Sequence, residues 1–251
     1  MKKIIFKHIK NTKNIGDKNC SPFYYLNVEN STVIDLNEKA PPCDAIIYGG
    51  GKIFSRIARS SQKNERRAKI KIAWGISTID YSPFSLPYLK SRIHLDLIGS
   101  RDYGDNRFIY TPCPSCLSDL FDRNYTETNE VSFFGHAEKS AAQNIKIPNE
   151  IPFLDNYSES MYEAIKFIGS TKTLVTNSYH GTYWGLLLGK KVLTIPFNKK
   201  FMHYRIKPGY SNSETWLNDL KKAQSANEML ALCREDTNNF KKLVFEKIYQ
   251  N

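Results

Sequence analysis

The stretch "TNSYHGTYWGLLLGKK" (residues 176–191) places a polar cluster and a histidine directly before an apolar run. The apolar residues 173–175 predict a short buried strand, and residues 183–188 predict the inner face of a helix that ends at Gly189. His180 therefore lies at a strand-to-helix turn. Ligands of open α/β sheets bind at the carboxyl ends of strands, where the following helix offers unpaired N–H groups and a positive dipole end. The stretch predicts an anion-binding site at His180.

Length and composition indicate a globular protein. The 251 residues are enough for one large α/β domain or two small ones, and 41% hydrophobic and 24% charged residues are ordinary values. No apolar run approaches the roughly 18 residues of a transmembrane helix, and the start "MKKIIFKHIKNTKN" lacks signal-peptide features, so we expect a cytoplasmic protein. An odd number of scattered cysteines, five, predicts reduced thiols.

The formal net charge of +11 favours anionic partners, although a solvated surface rich in lysine explains it equally well. Candidate partners are phosphorylated metabolites, nucleic acid and the anionic inner face of a membrane, which the protein could contact peripherally. The chain has no zinc-finger motif, no RNP-type aromatic motif and no arginine-rich tract. We therefore expect no nucleic-acid partner.

The first half of the chain alternates short apolar runs with turn signals, and a helix is expected over residues 53–67. This alternation predicts a Rossmann-like sheet. The predicted strands are "KIIFKHI" (3–9), "TVIDL" (32–36), "AIIYGGG" (45–51), "IKIAWG" (70–75) and "LDLIGSRD" (95–102).

The polar run "FDRNYTETNE" (121–130) is the predicted linker between two domains, which we place at residues 1–125 and 126–251. A second α/β unit follows the linker, and the chain after Pro208 is expected to be helical and polar. Its predicted strands are "VSFFGH" (131–136), "TLVTNS" (173–178) and "KVLTIPF" (191–197), and its predicted helices cover 158–168 and 181–188.

Two glycine motifs follow predicted strands. In "KNIGDKN" (13–19), Gly16 can adopt a positive φ and Asp17 is exposed beyond it, which is also the pattern of a simple turn. In "YGGGKIF" (48–54), Gly50 and Gly51 would let the backbone approach a ligand closely. The spacing matches neither a Walker A motif nor G-x-G-x-x-G.

Two further motifs each allow more than one interpretation. Arg101 in "GSRDYGD" could bind a phosphate or a carboxylate with its guanidinium fork, or it could pair with Asp102 or Asp105. Cys113 and Cys116 form a C-x-x-C in "PCPSC", which suggests zinc or redox chemistry. A zinc site would need a second ligand pair, which the chain lacks, so we predict a structural loop and no metal site.

Polar and basic residues around His180 converge on the same strand end. Asn177 and Ser178 precede His180, and Gly181 follows it with a backbone N–H at the helix start. Three further residues could face the same crevice, namely His136, Lys199 and Lys200.

Taken in order, "NIGD", "GGG", "AWGIS", "GSRD", "PCPSC" and "TNSYHGTYWGLLLGKKVLTIPFNKKF" resemble the polysaccharide pyruvyl transferase family, over about residues 14–201. The resemblance implies an α/β, GT-B-like fold with two Rossmann-like domains whose parallel sheets face a cleft. It also implies a transferase that forms a pyruvate ketal on a sugar of a bacterial surface glycan. Phosphoenolpyruvate would be the donor, a glycan or a lipid-linked oligosaccharide would be the acceptor, and no cofactor is implied.

Ketal formation needs an acid for the methylene carbon of phosphoenolpyruvate, cations for its carboxylate and phosphate, and a base for the attacking hydroxyl. The resemblance implies that His180 is the acid, in a C-terminal domain that binds the donor. Arg101, with the N–H groups near Gly181, would hold the anion. Asp17 would act as the base or bind the acceptor on the N-terminal domain. The other acceptor-binding candidates are Asn14, Gly16, Gly50 and Gly51.

The chain departs from this family at one position. Several members carry an arginine two residues before the histidine, where this chain has Ser178. The other donor-binding candidates are Asn177, Ser178 and, for the phosphate clamp, Lys199, Lys200 and Arg205.

Two alternatives remain open. A GT-B-type glycosyltransferase with a nucleotide-sugar donor would also use a basic helix N-terminus, because that feature suits a diphosphate. The other alternative is a non-catalytic binding module in glycan assembly.

Overall fold

The computed structural model describes residues 1–57, 65, 68–79 and 95–250 and contains two parallel β-sheets. Two compact units divide the chain between them. The α-helices that lie wholly within the described residues are α1 (Ile15–Lys18), α2 (Ala137–Ala142), α3 (Met161–Gly169), α4 (Tyr179–Leu187) and α5 (Met229–Tyr249). No helix within the described ranges combines the length and apolar character that a membrane crossing requires.

The first unit contains a six-stranded parallel sheet with the order β2-β1-β3-β4-β5-β6. The chain places β2 on one side of β1 and then returns to place β3 on the other side. The carboxyl ends of β1 and β3 therefore form a topological switch point, where open α/β sheets bind ligands. The strands are β1 (Ile4–His8), β2 (Ser31–Asp35), β3 (Ala45–Gly51), β4 (Ile70–Ile76), β5 (Leu97–Ser100) and β6 (Ile109–Tyr110).

The second unit contains a five-stranded parallel sheet with the order β11-β10-β9-β7-β8. The order reverses at β7, which has β8 on one side and β9 on the other, so its switch point lies between β7 and β9. Ser160 is the N-cap of α3, and its hydroxyl accepts the N–H of Glu163 at 3.1 Å. The strands are β7 (Asn129–Gly135), β8 (Phe153–Asp155), β9 (Thr171–Thr176), β10 (Lys191–Thr194) and β11 (Gly209–Tyr210).

The division into units differs from the expected boundary at residue 125. The second unit begins at Ser118 and ends at Leu232, and it also includes the segment Lys13–Gly16. The residues Cys233–Asn251, which were expected to complete the second domain, belong to the first unit. The cause is the apolar face of α5, on which Phe240 and the residues four and eight positions later are buried against the first sheet.

The expected fold class is confirmed: the chain is α/β and GT-B-like, with two Rossmann-like units built on parallel sheets. The predicted strands occur close to their expected positions, although β10 ends at Thr194. Residues after Pro208 form the short strand β11 and turns before α5 begins at Met229, so the expectation of a helix throughout was wrong. The helix predicted over 53–67 lies mostly outside the described residues.

Candidate functional site

The switch point of the second unit joins the ends of β7 and β9 through one buried amide. Oδ1 of Asn177 accepts the backbone N–H of His136 at 2.7 Å and the hydroxyl of Ser140 at 3.1 Å. Its Nδ2 donates to Oε1 of Gln143 at 2.8 Å. Asn177 therefore orients the residues around it. Its predicted contact with a donor stays a prediction.

The start of α4 lies directly after β9. Ser178 is the N-cap, and its hydroxyl accepts the N–H of Gly181 at 3.3 Å. A Cβ added at Gly181 would lie 2.5 Å from Oγ1 of Thr176 and 2.6 Å from a ring carbon of Phe134. Glycine is needed there because the first turn packs tightly on β7 and β9. That packing directs the positive end of the helix dipole to the carboxyl end of the sheet.

His180 is the second residue of α4 and is only 5% exposed. Its ring centroid lies 5.5 Å from that of Tyr179 and 5.4 Å from that of Trp184. The segment Lys13–Gly16 covers it, and a Cβ at Gly16 would overlap the imidazole. The structure thus brings Gly16, which was predicted to bind the acceptor, to the predicted acid.

Two hydrogen bonds hold this covering segment in place. The N–H of Ile15 donates to the carbonyl of Asn156 at 2.8 Å, which attaches the segment to the loop after β8. Oδ1 of Asn14 accepts the N–H of Gly16 at 3.0 Å and shapes the turn. Asn14 therefore supports the turn that lies over His180.

A lysine enclosed by aromatic rings completes this edge of the unit. The ammonium of Lys200 lies 5.1, 5.4 and 5.6 Å from the ring centroids of Phe197, Phe201 and Tyr179. Cation–π attraction stabilises an ammonium group in such surroundings. Of the other predicted clamp residues, Lys199 is exposed, and Nη1 of Arg205 donates to the carbonyl of Leu232 at 3.4 Å.

His136 joins the same site from the end of β7. Its ring centroid lies 5.6 Å from that of Phe197, and its buried Nδ1 has no hydrogen-bond partner among the described residues. Burial lowers the pKa of His136 below its ordinary 6.5, and the charge of Lys200 lowers it further. A neutral imidazole at pH 7 can accept a proton.

Sequence reasoning placed His136 near this crevice but gave it no role, and it missed the aromatic rings altogether. The position of His136 at a predicted strand end was the available signal. No local pattern marks the rings of Phe197, Phe201 and Tyr179, because only the fold shows that they surround one ammonium group.

The switch point of the first unit contains glycines and a carboxylate. Gly50 and Gly51 have φ values of +49° and +77°. A Cβ at Gly50 would overlap Cys20, so this glycine serves the packing of the chain. A Cβ at Gly51 would find only ordinary contacts, at 3.6 Å from Ile53 and 3.8 Å from Oδ1 of Asp17. Of the two predicted glycines, Gly51 is the one whose Cβ position lies in ordinary contact distance of a carboxylate.

Arg101 follows β5 in the first unit and is 4% exposed. The two acids offered as its structural partners are bound by other groups. Asp102 accepts the N–H of Thr78 at 2.6 Å, and Asp105 forms an ion pair with Arg107 at 2.6 Å. The charge of Arg101 acts on the buried thiols of Cys20 and Cys113, whose pKa values are raised mainly by burial.

The C-x-x-C motif lies in a buried turn of the first unit. The hydroxyl of Ser115 donates to Sγ of Cys113 at 3.3 Å, and Sγ of Cys116 lies 3.4 Å from Oγ1 of Thr237. All five cysteines lie within the described residues and are thiols. Within those residues no three His, Cys, Asp or Glu side chains are grouped to hold a metal ion. The structural role of this loop stays a prediction.

Comparisons with known proteins support the fold. No protein-family model and no curated protein matches the chain. A structure of an uncharacterized protein from Klebsiella pneumoniae is similar, with a TM-score of 0.52 and 17% identity over 78% of this chain and 83% of that one. A candidate UDP-N-acetylglucosamine 2-epimerase from Listeria monocytogenes is similar with a TM-score of 0.55 and 10% identity, over 100% of this chain and 98% of that one. At these identities the likeness concerns the fold alone.

Proposed function

We propose that this chain is a glycan-modifying transferase that forms a pyruvate ketal from phosphoenolpyruvate and two sugar hydroxyls and releases phosphate. The observation that carries the proposal is the grouping of His180, His136 and Lys200 at the carboxyl end of one parallel sheet. The resemblance of residues 176–201 to pyruvyl transferases supports the choice of donor.

The donor carries a carboxylate and a phosphate, so its site must supply positive charge and N–H donors. The first turn of α4 supplies N–H groups at its dipole end, and Lys200 supplies a cation held by aromatic rings. Lys200 would replace the arginine that several pyruvyl transferases carry at the position of Ser178. Arg101 stays a proposed anion-binding residue.

The reaction requires one acid and one base. His180 would donate a proton to the methylene carbon, which becomes a methyl group and leaves positive charge on the adjacent carbon. One hydroxyl would then add to that carbon and lose its proton to the base, and this proton would return to His180 through solvent before the next turnover. The bond from carbon to the phosphate oxygen would break, and the second hydroxyl would add while its proton leaves with phosphate.

Two residues compete for the role of the base. Asp17 was predicted from its glycine turn and stays a proposal. His136 is the second candidate, because its lowered pKa keeps the imidazole neutral and its Nδ1 has no hydrogen-bond partner among the described residues. The two differ in side-chain chemistry, so substitution and pH dependence separate them.

A nucleotide-sugar donor is the second candidate function. The likeness in fold to a candidate UDP-N-acetylglucosamine 2-epimerase favours it, and the start of α4 would suit a diphosphate as well. The acceptor in either case would be a glycan or a lipid-linked oligosaccharide. The net charge of +11 would support peripheral contact with an anionic membrane face.

Thermal shift with separate ligands tests the donor. A ligand at about 100 times its Kd stabilises the native state by about 2.7 kcal/mol, so binding must raise the Tm. We expect phosphoenolpyruvate to raise the Tm of the wild type and of Lys199→Met, but much less that of Lys200→Met. Stabilisation by UDP-sugars alone would instead support the glycosyltransferase. No response to either donor would support the non-catalytic module.

Turnover tests the reaction itself. The expected result is release of inorganic phosphate from phosphoenolpyruvate that depends on an added oligosaccharide acceptor, together with a ketal methyl signal in the proton NMR spectrum of the product. Phosphate release without a modified sugar would contradict ketal formation.

A further inference from the structure

A groove runs along α3 of the second unit, away from the residues grouped around His180. It has a volume of about 940 Å³ and extends from Ser160, the N-cap of α3, to Ser170 after its end. A helix of this length spans about 13 Å, so the groove is elongated. A smaller hollow of about 390 Å³ shares Arg123, Asn124 and Tyr125 with it. We call the larger one the α3 groove.

Aromatic rings line the α3 groove, and that of Tyr125 is held in a fixed position. The hydroxyl of Tyr125 donates to the carbonyl of Leu120 at 2.8 Å, and its ring fills the space that a Cβ at Gly169 would need. Tyr162 is 46% exposed, and the guanidinium of Arg123 lies 5.8 Å from its ring centroid. Rings fixed before binding lose little entropy when a ligand stacks on them.

The charges around the α3 groove compensate each other. Arg123 pairs with Asp119 at 2.9 Å, and Glu163 and Lys166 both line the groove. In the smaller hollow, Lys190 pairs with Glu127 at 2.7 Å. The net charge of the protein is thus not concentrated here, which disfavours nucleotides and phospholipids. The remaining polar lining consists of amide and hydroxyl groups, which are Asn124, Thr126, Thr128, Ser160 and Ser170.

We propose that the α3 groove binds a chain of neutral sugar residues. Such a chain presents apolar C–H faces that pack on aromatic rings and hydroxyls that exchange hydrogen bonds with amide and hydroxyl side chains. The identity of the glycan as acceptor rests on the proposed function, whereas the binding itself does not need turnover. The groove would hold a glycan away from the reacting sugar and so favour long acceptors over short ones.

Affinity electrophoresis through gels that contain soluble neutral polysaccharides (dextran, galactomannan, glucomannan and arabinoxylan) tests the groove. We expect at least one polymer to retard the wild type, and Tyr162→Ala to weaken this retention about tenfold or more, as for a central aromatic contact. The matched control is Tyr249→Ala, because Tyr249 is 52% exposed and lies on α5. Equal Tm values would show that both variants are folded.

The outcomes separate this proposal from the proposed function. Retention that depends on Tyr162 without phosphate release would keep the groove and overturn the ketal transfer. Absence of retention by every polymer, or equal retention of Tyr162→Ala and Tyr249→Ala, would overturn the groove. A concentration-dependent dimer in sedimentation that Tyr162→Ala abolishes would also overturn it and assign the surface to a second copy of the chain.

Discussion

The two units reverse their strand order in the same way but carry different chemistry at the reversal. The first unit places glycines, the carboxylate of Asp17 and buried thiols near the ends of β1 and β3. The second unit places two histidines and an enclosed lysine near the ends of β7 and β9. Backbone topology therefore determines where a site forms, and the side chains that follow each strand determine which ligand suits it.

Helix length adds to the difference between the two switch points. In the second unit α4 has nine residues and begins directly after β9. The helix after β1 is α1, which has only four residues, and its first two belong to the second unit. A longer helix aligns more peptide dipoles and gives a stronger positive end. The start of α4 is therefore a better site for an anionic donor than the start of α1.

Removal of the predicted acid should have the largest effect. We expect His180→Ala to fold normally and to lose turnover by roughly 10²- to 10⁴-fold, because general acid–base groups contribute about that much. Steady-state phosphate release measures the loss, and the Tm checks the fold. Activity near the wild-type level would end the assignment of the acid to the second unit.

Removal of the base should have the next largest effect on activity. We expect His136→Asn to lower kcat by about 10²-fold, and Asp17→Asn to lower it less, if the base belongs to the second unit. A base must be deprotonated. Burial and the charges of Lys200 and Lys139 lower the pKa of His136 below 6.5, and together they outweigh the charge of Glu138, which raises it. Wild-type activity should therefore persist as the pH falls to 6.5 and decline only below it.

A pH profile of each variant checks this assignment. His136→Asn should lose the decline on the acid side, whereas Asp17→Asn should retain it. The reverse pattern would transfer the base to the first unit and remove part of the contrast between the two switch points.

The turn that covers His180 offers a double-mutant cycle. Gly16→Ala introduces a Cβ that overlaps the imidazole, so we expect kcat/KM to fall about tenfold, equivalent to about 1.4 kcal/mol. In a His180→Ala background the same change should cost almost nothing, because the overlapping ring is absent. Additive losses would show that Gly16 acts independently of His180.

Arg101 tests whether the first unit takes part in binding the donor. Arg101→Lys keeps the charge but loses the guanidinium fork, so we expect kcat/KM to fall by about fivefold with little change in the Tm. Thermal denaturation and kinetics on the same sample distinguish a donor-binding role of Arg101 from a structural one. A large drop in Tm with unchanged kinetics would make this 4% exposed residue part of the core of the first unit.

The cysteine loop should have the smallest effect. We expect the double variant Cys113→Ser, Cys116→Ser to keep activity within about twofold, since thiol chemistry has no role in ketal formation and a closed zinc site needs four ligands. Elemental analysis should find no stoichiometric zinc. About one zinc per chain, with activity lost to chelators, would contradict the expectation.

Local signals in the sequence predicted most of the sheets. The strand β3 occurs at the predicted residues 45–51, because a continuous apolar run ends there in three glycines. The short strands β6, β8 and β11 were missed, since two or three residues show no periodicity. The packing of α5 on the first sheet was also not predicted, because the apolar face of a helix does not identify the sheet on which it packs.

The candidate site could be predicted only where its signal is local. His180 was selected as a candidate because its strand, cap and helix are consecutive in the sequence. The contact of Gly16 with the imidazole joins distant segments, and so does the enclosure of Lys200 by aromatic rings. Such tertiary contacts leave no periodic pattern in the chain. Only the folded structure shows these contacts.

The packing of α5 on the first sheet affects the order in which the parts of the chain fold. The second unit is almost one continuous stretch, Ser118–Leu232, whereas the first unit brings Phe240 against Trp74 with that whole stretch between them. Closing a longer loop costs more entropy. A ribosome would also release all of the second unit before the last helix. We therefore expect the second unit to fold first, and the core of the first unit to remain incomplete until synthesis is nearly finished.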